Sequence, residues 1–314
     1  MRLIAGVDIG GTTIKIGLFE QGGELLCKWE VKTPGREEAE KLYPVIAEAI
    51  LEKVGELGFE KEDLKAVGMG LPGPIREDGY LPWQVNLGQP ASYPGKELEA
   101  ILHVPCVAGN DANVAALGEA KYGAAKGYKN VVMVTLGTGV GGGIIVNGKI
   151  VAGNHGVGGE IGHFVVNPFE TEKCNCGNKG CLEQYSSATG IVRNAKKILA
   201  TGRASVLQGV EFTGAKTVND AAIAGDSVAL EALDVFGRYL GMAISHLILT
   251  TDPDRVVLGG GVSRSGEIVL NPVLRYVDDF THIAEKKADI VLASLGNDGG
   301  IFGARALAED ALGD

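Results

Sequence analysis

The chain has 314 residues, a formal net charge of −10, 45% hydrophobic and 22% charged residues. That balance excludes disorder and fibrous architecture and disfavours a nucleic-acid or anionic-membrane surface, either of which needs a basic face. Its 48 glycines, about twice the usual share of roughly 7%, cluster behind apolar runs without accompanying Ser or Pro, a mark of sharp turns and close backbone approach rather than flexible linkers.

In chain order, an apolar strand begins at residue 3, which leaves no room for a secretory h-region, so a cytoplasmic location is expected. No stretch reads as long and apolar enough to span a bilayer. The strand at 3–7 leads through Asp8-Ile9-Gly10-Gly11-Thr12-Thr13 into the alternating run 14–19, a hairpin around a glycine turn. A helix follows at 43–54, then a buried strand at 66–70 ending in the turn Leu71-Pro72-Gly73-Pro74, a strand at 104–107 and a helix at 110–122. The strand 131–134 enters Thr135-Leu136-Gly137-Thr138-Gly139-Val140-Gly141-Gly142-Gly143, followed by a strand at 144–146 and the turn Asn147-Gly148. Helices are predicted at 187–200 and 229–249, strands at 255–258 and 290–292, and a surface connection at 202–214. Alternating strands and helices predict an α/β protein. The two glycine-turn hairpins, about 125 residues apart, predict two similar lobes with a substrate cleft between them.

Gly137, Gly139 and Gly142 satisfy the dinucleotide spacing G-x-G-x-x-G, but they lead into a strand, whereas that motif needs a helix N-terminus for the pyrophosphate. No G-x-x-x-x-G-K-[ST] is present, which excludes a P-loop. What remains is a pair of turns whose backbone N–H groups and Thr hydroxyls can face phosphate oxygens; ordinary structural turns are the alternative for either one alone. Asp8 suits a magnesium ion, which favours carboxylate and water oxygens. A third run, Gly259-Gly260-Gly261, lets an adenosine lie against bare backbone or simply makes a tight turn.

Cys174, Cys176 and Cys181 fall within eight residues, and in a cytosolic chain such thiols read as metal ligands rather than disulfides. His163 is expected to complete a Cys₃His zinc site of the structural type, with three unrelated buried thiols as the alternative. Cys27 and Cys106 read as small core residues. Asp111, before an Ala-rich helical run, reads either as an N-cap or as a rigid, ionised base, and the two roles are compatible. Glu160 and Glu183 flank the cysteine loop and could accept hydroxyl hydrogen bonds, with solvated surface carboxylates as the alternative.

Taken together, Asp8-Ile9-Gly10-Gly11-Thr12, Leu136 to Gly143, Glu160-Ile161-Gly162-His163, the cysteine segment running to Gly180-Cys181-Leu182-Glu183, and Asn110-Asp111 resemble the motifs of the ROK family of repressors and sugar kinases, most closely its bacterial glucokinases. The resemblance covers essentially the whole chain. It implies a two-lobed actin/hexokinase-like (ribonuclease H-like) fold. Residues 1–120 would form a small lobe completed by a C-terminal helix at about 301–314, and 121–300 a large lobe carrying the zinc loop and much of a dimer interface. It implies ATP-dependent phosphorylation of glucose at the 6-hydroxyl, with Asp111 as base. Sugar contacts would come from Gly73, Asn86, Asn110, Asp111, Glu160, His163 and Glu183. Phosphate and nucleotide contacts would come from Asp8, Gly10, Gly11, Thr12, Thr13, Lys15, Gly137, Thr138, Gly139 and Gly259 to Gly261. ATP with Mg²⁺, a structural Zn²⁺ and a homodimer or dimer of dimers are likewise implied. Another hexose, such as fructose, mannose or an N-acetylated hexosamine, is the nearest alternative substrate. A sugar-sensing repressor lacks its helix-turn-helix here, and an actin-like ATPase gives no reason for the zinc loop.

Overall fold

The computed structural model describes residues 2–82, 87–88, 90–283 and 287–313. In chain order the elements are β1 (Leu3–Ile9), β2 (Thr13–Glu20), β3 (Leu25–Lys32), α1 (Leu42–Glu56), β4 (Leu64–Leu71), α2 (Pro94–Leu102), β5 (Cys106–Asn110) and α3 (Asp111–Lys121). Next come β6 (Val131–Leu136), β7 (Val140–Val146), β8 (Lys149–Ile150), α4 (Glu183–Ser186), α5 (Ala188–Leu199), α6 (Ala215–Ile223), α7 (Ser227–Thr251), β9 (Arg255–Gly259), α8 (Glu267–Phe280), β10 (Asp289–Leu292) and α9 (Gly299–Leu312). The α/β expectation holds.

The strands form two sheets, ordered β3-β2-β1-β4-β5 and β10-β9-β6-β7-β8. Read from the hairpin side, each runs third, second and first strand and then two crossover strands, so the repeat seen in the two glycine turns extends to the topology. In the first sheet β1, β4 and β5 are parallel, with β2 and β3 antiparallel outside them.

Chain contacts divide the molecule into two units, one of Met1–Lys129, Gly143–Gly159 and Ser294–Asp314, the other of Asn130–Gly142 and Glu160–Ala293. In the first, Leu3, Ala5, Val7 and Ile9 of β1 pack with Leu42, Ile46 and Ile50 of α1, while Ile4 and Ala66 turn to the opposite face, against Ala308 of α9. Helices on both faces explain why β1 is apolar throughout rather than alternating.

Close approach decides where α9 lies. A Cβ at Gly68 of β4 would fall 1.8 Å from the Ala304 carbonyl oxygen, and one at Gly303 would fall 1.7 Å from that of Val114 in α3. Glycine therefore lets α9 rest directly on the sheet and on α3. Gly68→Ala is expected to cost about 2–3 kcal/mol or more through overpacking, read from the urea midpoint; an unchanged midpoint would mean that α9 shifts freely.

In the second unit α7 packs against α5, α6 and α8. At 25 residues it is long and apolar enough to cross a membrane by length and composition, which corrects the expectation that no stretch is. Leu233, Phe236, Leu240, Ala243, Ile244 and Leu247 are buried within the fold, the pattern of an interior helix.

Several elements escaped the sequence reading. Strand β3 borders the first sheet and only alternates between half-buried and exposed positions. Helix α8 carries Pro272 inside it, which obscures a helical pattern. The strand expected at 104–107 runs instead over Cys106–Asn110, and its end was missed because Gly109 and Asn110, poor strand formers, are held by pairing with Gly70 and Leu71 of β4.

Candidate active site

In the first unit the register pairs Asp8 with Gly70 and Leu71 with Asn110. Asp8 of β1 and Asn110 of β5 thus reach the carboxyl ends of the two parallel strands that flank β4, where α/β folds place ligands. Helix α3 begins immediately afterwards. Its N-cap is Asn110, not Asp111: the Asn110 side-chain oxygen accepts hydrogen bonds from the Ala112 and Asn113 backbone N–H groups at 3.0 and 3.2 Å. Asn110 Nδ2 donates to the Gly73 carbonyl at 3.1 Å, bringing Gly73 to the same corner. Freed from capping, Asp111 occupies the first helical position, its carboxylate accepting the Ala112 N–H at 2.8 Å.

Asp8 and Asp111 are electrostatically coupled. Burial raises both pKa values; Lys15 lowers that of Asp8 while the Asp111 charge raises it, and the Ala112 N–H partly offsets the shift at Asp111. A cation would relieve this like-charge crowding, so the donors fit a magnesium ion. Gly300, at the start of α9, makes room for Asp8, since a Cβ there would fall 2.5 Å from its carboxyl carbon. The first glycine turn is held from β3's end: Thr33 Oγ1 donates to the Gly10 carbonyl at 2.8 Å, and the Thr33 N–H to that of Thr12 at 3.0 Å. Gly11, Thr12 and Thr13 are exposed. Lys15 donates to the Asn297 carbonyl at 3.4 Å.

In the second unit Thr135 of β6 pairs with Gly259 of β9, so both remaining glycine runs leave the carboxyl ends of adjacent parallel strands. Gly260 has φ +87°, and a Cβ there would strike the Leu136 backbone at 2.4 Å, which brings the third run against the root of the second. At Gly11, Gly137 and Gly261, by contrast, a side chain would meet nothing within 4 Å. No packing inside the fold demands glycine there. Two contacts missed in the sequence anchor the second turn: the Ala188 N–H donates to the Gly137 carbonyl at 2.9 Å, and Thr189 Oγ1 to that of Thr138 at 2.8 Å. Their only sequence signal was Ser187, which caps α5 through the Gly190 N–H.

The metal donors converge. One ligand atom each from His163, Cys174, Cys176 and Cys181 lies within 4.8 Å of all the others, and the Cys176 and Cys181 sulfurs are 3.6 Å apart, near the ~3.8 Å that tetrahedral Zn–S bonds of about 2.3 Å produce. His163 Nδ1 is buried with no hydrogen-bond partner among the described residues. A metal would satisfy it. Burial pushes the Cys174 and Cys181 thiols up, with hydrogen bonding to Glu183 adding to the first and to Cys176 to the second. Cys176 is held low despite burial by the Asn178 N–H and the neighbouring thiols.

Glu183 joins this cluster to the second glycine turn. Its Oε1 accepts from the Cys174 thiol at 2.9 Å and lies 3.9 Å from His163 Nδ1, and a Cβ at Gly139 would fall 2.7 Å from its Oε2. His163 Nε2 lies 4.0 Å from Glu160. Beneath them Arg193 Nη2 bridges Glu170 and Glu172 at 2.6 Å each. Although burial opposes it, hydrogen bonds from Arg193 and Tyr185 hold Glu170 well below the usual carboxylate range, fixing the loop to α5.

The expected sugar contacts thus divide, Gly73, Asn110 and Asp111 in the first unit and Glu160, His163 and Glu183 in the second. Asn86 lies outside the described residues.

The profile of the ROK family matches residues 4–311. A glucokinase of Halalkalibacterium halodurans is 41% identical over 312 residues, covering 96% of this chain and 93% of its own. A ROK glucokinase from Streptomyces griseus, solved in complex with glucose and AMPPNP, has 34% identity and a TM-score of 0.74 over 98% of this chain and 99% of that one. A ROK hexokinase from Thermus thermophilus has 31% identity and a TM-score of 0.79, covering 99% of each chain. The two repeated sheets have their counterpart in these actin/hexokinase-like enzymes, and the chain belongs to the ROK family.

Proposed function

We propose that the protein is an ATP-dependent hexokinase that phosphorylates glucose at the 6-hydroxyl. The carrying observation is His163, one ring nitrogen of which gathers with the sulfurs of Cys174, Cys176 and Cys181 in a group that could hold a metal, while Nε2 lies 4.0 Å from Glu160. An ATPase that binds no sugar has no use for that arrangement. Near-full-length similarity to glucokinases, one of them solved with glucose and an ATP analogue, supports the same reading.

Asn110, Asp111, Glu160, His163 and Glu183, with Gly73 and Asn86, contact the hexose in this proposal. Asp111 accepts the 6-hydroxyl proton as the oxygen attacks the γ-phosphorus and ADP leaves. The helix N-terminus keeps its carboxylate ionised and fixed in direction. The turns at Gly10 to Thr13 and Gly137 to Gly139 offer backbone N–H groups and the hydroxyls of Thr12 and Thr138 to phosphate oxygens, and Gly259 to Gly261 give the adenosine a bare surface. Asp8 would hold a magnesium ion, which would neutralise phosphate charge, and His163, Cys174, Cys176 and Cys181 would hold a zinc ion, which would fix the imidazole tautomer and leave Nε2 for a sugar hydroxyl. The chain's own contribution is chiefly positioning.

A coupled ADP-release assay with magnesium-ATP against glucose, mannose, fructose, N-acetylglucosamine and N-acetylmannosamine tests the reading. The largest kcat/KM is expected for glucose; preference for another sugar would rename the substrate, and no sugar-stimulated turnover would refute the kinase. A cytoplasmic homodimer is part of the proposal. Phe164, Val165 and Phe169, beside the cysteine loop and 37, 54 and 89% exposed, offer an apolar face for it. Light scattering that returns a monomer mass at micromolar concentration would refute the dimer.

A further inference from the structure

Helix α3 carries a second feature on the side away from Asp111. At 100° per residue, Asn113 and Leu117 lie roughly 200–240° around the helix from Asp111. They line a cavity of about 600 Å³, contained within the first unit, whose remaining walls come from the β7–β8 hairpin, the segment after β4 and the last turns of α9. Its apolar wall is Ile75, Leu117, Ile150 and Leu307. Of the proposed sugar contacts among the described residues, only Asn110 is in its lining, and that side chain is engaged in capping α3 and holding the Gly73 carbonyl; Gly73, Asp111, Glu160, His163 and Glu183 are not.

Two features make it a built site. Asn113 is only 2% exposed, and its side-chain oxygen has no hydrogen-bond partner among the described residues, while its amide nitrogen is engaged by the Gly158 carbonyl at 3.2 Å. A buried, unsatisfied acceptor on a cavity wall calls for a donor from the occupant. The charged lining is also unbalanced. Lys121 and Asp310 pair with each other at 2.5 Å, which leaves Arg76 and Lys149 against the single carboxylate of Glu77. The Arg76 Nε is likewise buried with no hydrogen-bond partner among the described residues.

We propose that this cavity is a second small-molecule site, for an amphipathic organic anion bearing a hydrogen-bond donor, and that its ligand modulates the enzyme without competing with the hexose. The apolar body lies against Leu117 and Leu307, the donor meets Asn113 Oδ1, and the anion sits with Arg76 and Lys149. The volume falls in the usual range for such ligands. A ligand there braces the first turn of α3, whose opposite face presents Asp111. The proposal concerns binding and stands apart from the identity of the sugar.

The test uses the full chain and 4-hydroxyphenylacetate, which combines ring, carboxylate and hydroxyl donor. Its comparators are phenylacetate, which lacks the donor, and 4-hydroxyphenethyl alcohol, which lacks the anion. Saturation-transfer NMR is expected to show millimolar binding of the first, weakened about fivefold or more on loss of either group. Saturating glucose should leave it bound, and Lys149→Ala and Arg76→Ala should each weaken it by a similar factor. Because the exposed Lys149 can be replaced without disturbing the core, unaltered binding in Lys149→Ala overturns the proposal. Absence of binding by all three probes, equal binding of all three, or displacement by glucose does so as well.

Discussion

Replacing Asp111 by Asn is expected to lower kcat by about 10³-fold, within the range that loss of a general base produces, while the hexose dissociation constant changes only a few fold. Asn keeps the shape and the hydrogen bond from the Ala112 N–H but cannot take the 6-hydroxyl proton. Single-turnover kinetics beside equilibrium sugar binding separate the two effects; near-normal kcat would remove Asp111 from the base role. Burial raises the Asp111 pKa above its ordinary 3.8 despite the opposing backbone hydrogen bond. Turnover of the unaltered enzyme should therefore fall, with decreasing pH, before a solvated aspartate would begin to protonate. The stability consequence has the opposite sense. A raised folded-state pKa favours folding below the ordinary value, and that contribution is lost as pH rises through the raised one. At neutral pH the charged Asp111 burdens the fold, and Asp111→Asn should melt no lower than the parent chain. Burial raises Asp8 in the same direction.

Cys176→Ser is expected to remove the zinc and raise the sugar KM by about tenfold to a hundredfold, as loss of groups that orient a metal-bound imidazole does. Cys176 is the informative choice because it is exposed, whereas Cys174 and Cys181 are buried and their replacement would also disturb packing. Without the metal, His163 Nδ1 returns to being a buried, unpaired atom, and the ring is no longer held in the orientation that offers Nε2 beside Glu160. Metal analysis by mass spectrometry and sugar kinetics on the same sample give two independent readouts. Unchanged zinc content would discard the ligand set, and zinc loss with an unchanged KM would cut the connection between metal and sugar.

Much of the site was legible because its parts are local. Three cysteines within eight residues, a histidine upstream, and Thr- and Gly-rich turns between apolar strands are patterns a few residues long, and each carries its chemistry in residue type and spacing. The repeat of the hairpin was visible for the same reason, and the matching order of the two sheets extends it. Strands also announced themselves where both faces are covered, as in β1, whose apolar run is unbroken.

What the sequence could not decide were choices between neighbours and contacts across long separations. Asn110 and Asp111 are both good N-caps, and only the pairing of β5 with β4, which carries Asn110 to the strand end beside Gly73, assigns the cap to the first and frees the second. Glu183 meeting Gly139, Gly300 giving way to Asp8, and Asn113 opening onto a cavity behind α3 are likewise products of packing. Sequence by itself determined which chemical groups this protein carries and which turns can expose them, because local backbone preference and donor type are written residue by residue. Tertiary structure alone decided which of those groups are partnered, desolvated or left free, because burial and like-charge coupling depend on residues brought together from distant parts of the chain.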